Sequence, residues 1–371
     1  MQISRQLDIA WRMVRARHGA SLQALLALTA ALLISTAVIA LAGANPLVAL
    51  RALADGAFGS PEGWSEVGVR TCPLLLAGLA VAIAFRAGIW NIGAEGQLVI
   101  GALAVAWLGT HAGALPAWIA LPLVLAGAAL GGALWASIAG LLRMTRHVDE
   151  VISTIMLNFV AVGLVGYLVH GPLMETAGNY PQTDAVAAAA RLSRLIGGYR
   201  VHAGLLIAVA AAGLSYLLLF RTVLGFEMRA AGLNRVAAHL AGLDITRALL
   251  GAMAISGALA GLAGGIEVSA LTFRLYDQFS PGYGFTAIAV ALLGRLHPAG
   301  IAVAAVFFAA LDTGSTAMQS RAGVSSVLVS VIQATVVFSL IAVDQSRWRP
   351  IAHASVPADD GVTPPSLERP A

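Results

Sequence analysis

One short stretch, Phe85-Arg86-Ala87-Gly88-Ile89-Trp90-Asn91-Ile92-Gly93-Ala94-Glu95-Gly96-Gln97, sets hydrogen-bonding side chains in apolar surroundings. Asn91 and Gln97 bring amides that donate and accept, and Glu95 brings a carboxylate that accepts. Apolar runs long enough to cross a bilayer flank the stretch, which also holds three glycines. Non-helical backbone survives at membrane depth only where protein buries it or water reaches it. A carboxylate at a helix centre costs about 2.5–3.5 kcal/mol on insertion scales. The stretch reads as a helix break beside a lined pathway. An ordinary cytoplasmic turn, with Arg86 as a topology anchor, is the alternative.

Other chemistry is scarce. The chain lacks HExxH, GxSxG and CxxC patterns and any glycine-rich loop followed by Lys-Ser/Thr. Its eight histidines are scattered with no i,i+4 pair to hold a metal, and Cys72 is the single cysteine. No catalytic residue, metal ligand or cofactor is expected. A process driven by ATP needs a second chain to bind the nucleotide.

Of the 371 residues 59% are hydrophobic and 11% charged, with a mean hydropathy of +0.84. Soluble domains carry about 25% charged residues, so the chain is an all-α integral membrane protein. All 22 basic residues are arginines, a balance that suits interior loops better than nucleic acid. About ten spans are expected: 20–42, 67–85, 98–107, 116–142, 151–169, 201–220, 248–271, a short one ending at 293, 301–311 and 324–343. With both ends inside, fifteen arginines fall in interior segments and seven in exterior ones, in line with the positive-inside rule. Spans 3 and 8 are short, follow glycine-interrupted polar stretches, and lie second in groups 2–5 and 7–10. That layout suggests an inverted repeat, and such segments point to a binding site.

The longest strongly polar connector, 221–246, contains Gly225-Phe226-Glu227-Met228-Arg229-Ala230-Ala231-Gly232-Leu233-Asn234-Arg235 and continues to Gly242. Ala230 and Ala231 favour helix, Gly232 and Asn234 break or cap it, and Val236 to Leu240 allow a second short helix. A helix–turn–helix at the membrane face suits docking into a groove on a soluble partner. A solvated connector is the alternative.

Four ordered motifs then carry a family resemblance. Gly88 to Gln97 resembles the "NIGAEGQ" signature of permease subunits of ATP-binding-cassette importers in the branched-chain amino acid, ribose and nucleoside family. Glu150-Val151-Ile152-Ser153-Thr154-Ile155-Met156-Leu157-Asn158, the loop from Glu227 to Gly242, and Gly282-Tyr283-Gly284-Phe285-Thr286 onward to Gly294 follow in order. The signature is closest to the nucleoside and simple-sugar branch, because the Asp-Leu-Ser-Val-Gly form usual in ribose permeases is absent. The resemblance implies a pathway near Trp90, Asn91, Glu95, Gln97, Asn158, Phe285 and Thr286. It implies ATPase coupling through Glu227, Arg229, Gly232 and Asn234. Read from the residues alone, Asn158 could instead bond a neighbouring helix, Trp90 could sit in an interface belt, and Phe285 could be packing.

The expected cargo is a nucleoside, or a simple sugar, moved by alternating access. Expected partners are an ATPase subunit binding ATP and magnesium, a second permease, an external substrate-binding protein and membrane lipid. Affinity would reside in that binding protein, leaving no deep pocket here. The expected organisation is a basic segment 1–18, a permease domain 19–346 with its coupling loop at 221–246, and a disordered tail 347–371. The expected location is the inner membrane, with both termini cytoplasmic. The rivals are an ion-gradient transporter, which calls for an acidic cluster where only Glu95, Glu267 and Asp312 lie near spans, and a channel-like or scaffold subunit without energy coupling.

Overall fold

A computed structural model describes residues 29, 33, 34, 36–41, 43–325 and 327–345. The expected segment 1–18 and the tail from 347 onward lie outside the described residues, as does most of the expected first span. Two compact units are distinguished. The larger comprises Ala37–Gln333, and the smaller comprises Met1–Thr36 with Ala334–Ala371. In the smaller unit the described residues 334–345 are helical.

In the larger unit, helix α1 (Pro46–Phe58) starts where the Asn45 side chain accepts from the amides of Leu47 and Val48, with proline in the first turn. Helix α2 (Pro61–Arg86) is capped by the Ser60 hydroxyl, which accepts from Gly63 N at 3.1 Å. Every residue from Thr71 to Ala84 on α2 is buried. A helix apolar all round belongs at the centre. Helices α3 (Ala94–His111), α4 (Ala117–Arg146), α5 (Glu150–Val169) and α6 (Gly204–Arg221) follow. A short hairpin of α7 (Val223–Leu233) and α8 (Arg235–Leu240) leads to α9 (Ile245–Glu267), which ends in a π-helical turn at Thr272. Helices α10 (Tyr283–Leu293) and α11 (Pro298–Ala322) complete this unit, and α12 (Val327–Gln345) begins in it.

Seven described helices are long and apolar enough to span a membrane: α2 to α6, α9 with its π turn, and α11. No strand occurs among the described residues, only isolated bridges such as Gln182 with Tyr276. Small residues set the helix spacing. A Cβ added to Gly132 on α4 would lie 2.1 Å from the Gly257 carbonyl oxygen of α9. Gly132 thus lets α4 approach α9 closely, whereas Gly127 faces Leu108 of α3.

Three boundaries differ from expectation. The third span begins at Ala94 rather than Leu98, because the polar first turn holding Glu95 and Gln97 is helical and buried. The ninth runs from Pro298 to Ala322 rather than ending at Leu311. Asp312 inside it pairs with Arg70, the Ser315 hydroxyl donates to the Asp312 carbonyl at 2.6 Å, and Met318 is fully buried. The second begins at Pro61 rather than 67, which sets Arg70 well inside α2.

Candidate functional site

Between the end of α2 at Arg86 and the start of α3 at Ala94 the chain is not helical. Three polar side chains satisfy that unwound backbone. Asn158 of α5 donates through Nδ2 to the Ile92 carbonyl at 2.9 Å and accepts from the Gly96 amide at 2.8 Å. The Ile92 amide donates to the Thr154 hydroxyl at 3.3 Å. Asn91, fully buried, accepts from the Gly93 amide at 2.9 Å. This matches the rule that irregular backbone at membrane depth must find partners within the protein.

Asn91 also joins three elements. Its Nδ2 donates to Gln97 Oε1 at 3.1 Å and to the Ser256 hydroxyl of α9 at 2.9 Å, and its Oδ1 accepts from Gln97 Nε2 at 3.0 Å. Ser256 in turn donates to the Ala80 carbonyl of α2 at 2.6 Å. Ser256 was missed in the sequence because it sits among the small residues of α9 and breaks no apolar pattern. It is what ties the break to the central helix.

Glu95 is 5% exposed, and its carboxylate accepts from the Gly284 amide at 2.6 Å, serving as a cap for the start of α10. The Ser280 side chain and the Phe285 backbone bond to the same carboxylate. Close backbone packing accompanies this bond, since a Cβ at Gly284 would lie 2.2 Å from Glu95 N. A cavity of about 180 Å³ adjoins it, lined by Glu95, Val99, Val165, Gln278, Phe279 and Ser280. Trp90 and Phe285 are 56% and 48% exposed, and Trp90 packs on Phe85 with ring centroids 4.8 Å apart. Thr286 lies one residue further along α10, half-buried, its amide donating to the Gly282 carbonyl at 3.0 Å.

The α7–α8 hairpin sits directly against the break. Thr222 caps α7 by accepting from Gly225 N at 3.1 Å, and Asn234 caps α8 by accepting from Ala237 N at 3.0 Å. The Arg235 guanidinium donates to the Gly88 carbonyl at 2.5 Å. A Cβ on Gly232 would lie 2.1 Å from the Arg86 carbonyl oxygen, so hairpin and break touch backbone to backbone. Gly88 itself has φ +75°, a left-handed turn that glycine adopts freely. The Arg86 and Arg229 guanidiniums both lie over the Phe220 ring, 5.1 and 5.2 Å from its centroid. Glu227 is half-buried on α7. Leu233, Val236 and Leu240 are 89%, 70% and 82% exposed, an uncovered apolar edge on the hairpin.

Away from this site, His202 is buried in the segment before α6. Burial, with the positive Arg200 beside it, pushes its imidazole down to about 4. Among the described residues no group of His, Cys, Asp and Glu could hold a metal.

A multi-pass all-helical protein with a broken, internally bonded helix pair and a hairpin clamped to that break has the build of a membrane permease. The chain belongs to the family described as "Branched-chain amino acid transport system / permease component", whose model matches residues 64–340. It is 42% identical over 292 residues to the glucose ABC transporter permease protein TsgB13 of Haloferax volcanii, covering 76% of this chain and 77% of that one. It is 36% identical to the guanosine ABC transporter permease protein NupP of Bacillus subtilis, over 77% of this chain and 83% of that one. It is 32% identical to the nucleoside ABC transporter permease protein NupB of Lactococcus lactis, over 80% and 84%.

Proposed function

We propose that this permease passes a nucleoside, with a simple sugar as the second candidate, across the inner membrane by alternating access driven by a separate ATPase subunit. The clamp of the α7–α8 hairpin on the helix break carries this reading. A pull on the hairpin reaches the break through the Arg235–Gly88 bond and the Gly232–Arg86 contact, with no intervening flexible segment. Bistable packed elements turn such a local displacement into a change of state.

The exposed Leu233, Val236 and Leu240 suit a groove on the ATPase, which would bind ATP and magnesium, and Glu227, Arg229, Gly232 and Asn234 would shape that contact. Along the pathway, Trp90 and Phe285 offer surface to the solute. Asn91, Glu95, Gln97 and Asn158 hold the break in shape, and Thr286 lies beside them on α10. An exterior binding protein and a second permease complete the importer. Ten spans, an inverted repeat of spans 2–5 and 7–10, cytoplasmic termini and the division at 18 and 346 belong to the same reading. The gradient-driven alternative finds no support among the relatives, which are named ABC transporter permeases.

The test is uptake of labelled guanosine and glucose by cells carrying or lacking this chain. Loss of nucleoside uptake on deletion supports the reading. Unchanged uptake of nucleosides and sugars alike contradicts it.

A further inference from the structure

Two polar stripes face each other at the end of α2 remote from the hairpin. Glu62, Glu66 and Arg70 are spaced by four along α2, and Thr313, Thr316 and Ser320 by three and four along α11, so each set shares one helix face. Between them and α1 lies a cleft of about 670 Å³, within the range of small-molecule sites. Asp55, Glu62, Arg70, Thr313, Ser320 and Arg321 line it. At 1.5 Å rise per residue, Arg70 stands about 24 Å from Arg86 along α2, so the cleft is separate from the break.

The donor set specifies a ligand chemistry. Arg70 pairs with Asp312, and Glu66 pairs with Arg200 at 3.0 Å, so two of the five charged lining side chains are neutralised in place, and Asp55, Glu62 and Arg321 leave a net charge of about one. The buried Arg70 Nε and Thr313 Oγ1 have no hydrogen-bond partner among the described residues. Asp55 and Glu62 add acceptors, and Arg321 adds donors. Acceptors and donors mixed at near-neutral charge match hydroxyl groups, each of which donates and accepts. An anion would meet Asp55, Glu62 and Glu66, and an apolar solute would strip water from Asp55, Glu62 and Arg321 without replacing its hydrogen bonds. Polar stripes on membrane spans are costly and mark solute pathways.

We infer that this cleft is an outer station for the hydroxyl-bearing ring of the cargo: it takes a neutral furanose or pyranose and rejects the phosphorylated form. This rests on the nucleoside or sugar reading above and adds the place where the ring first docks.

Cys72 is the single native cysteine of this chain and is buried, so labelling resolved on this chain reports the introduced thiol. Ser320→Cys in the assembled importer is labelled with a maleimide while guanosine uptake is read in the same preparation. Millimolar guanosine or glucose is expected to slow labelling severalfold, whereas free guanine and guanosine monophosphate leave it unchanged. Adding Thr313→Val is expected to abolish the protection. Uptake without protection, or equal protection by base and monophosphate, overturns the outer station alone. Absence of uptake for nucleosides and sugars overturns the underlying reading and the cleft's ligand with it.

Discussion

Arg235 donates a 2.5 Å hydrogen bond to the carbonyl of Gly88, joining the connector hairpin to the start of the helix break. The bond is charge-assisted, and such bonds are about twice as strong as neutral ones. Replacing Arg235 by Gln is expected to lower ATP-driven uptake at least tenfold while the protein still inserts and keeps its melting temperature within a few degrees. Uptake in proteoliposomes alongside thermal melting checks this. Wild-type uptake in the variant would remove the bond from the coupling route.

Gly232 tests the same joint by volume. A methyl group there meets the Arg86 carbonyl oxygen, a backbone atom that cannot swing aside. Overpacking of this kind costs about 1–3 kcal/mol. Gly232→Ala is expected to uncouple ATP hydrolysis from uptake, and the ratio of the two rates is the readout.

The break was legible in the sequence and its purpose only in part. Three glycines and four polar side chains (Arg86, Asn91, Glu95 and Gln97) mark a helix break within Phe85 to Gln97; residues 87–93 are non-helical, and Glu95 and Gln97 lie in the first turn of α3. The capped hairpin was legible for similar reasons, since Gly232 and Asn234 punctuate helix formers and Asn234 caps α8. The partners were not legible. Asn158 and Ser256 lie 66 and 165 positions from the groups they bond, and periodicity carries no information over such separations. The end of the span at 311 was misplaced because the next residue, Asp312, is neutralised by a distant partner, Arg70. Hydropathy reads such a charge as the edge of the membrane.

Asn158 satisfies two backbone groups at once. Leaving a buried donor or acceptor unmet costs about 1–3 kcal/mol. Asn158→Leu is expected to lower the melting temperature in detergent by several degrees. Asn158→Asp, which keeps the acceptor for Gly96 N, is expected to lose about half as much. Equal melting of both variants and wild type would contradict the bonding described.

Glu95 is held by backbone donors at the start of α10. Gln retains an acceptor there and Ala does not. Glu95→Gln is expected to keep most uptake, and Glu95→Ala to lose at least tenfold. The two variants compared in one uptake assay decide between an acceptor role and a role for charge.

His202 makes stability depend on pH. Its folded pKa, about 4, lies below the ordinary 6.5, so the unfolded chain binds more protons between those values. Stability is full above pH 6.5 and falls as pH drops toward 4. The loss is about 3.5 kcal/mol at most, because each tenfold change in proton affinity is worth about 1.4 kcal/mol. Melting of the purified protein between pH 7 and 4 is expected to show this slope, and His202→Phe to flatten it. A slope unchanged in the variant would assign it to other groups.

We propose that a hydrolysing partner levers this chain at its hairpin. The direct measurement is solute accumulation in proteoliposomes, comparing the chain co-assembled with its ATPase, second permease and binding protein against the chain alone. Accumulation of guanosine only in the full assembly and only with ATP is the predicted result. Accumulation by the chain alone on a proton or sodium gradient would contradict it.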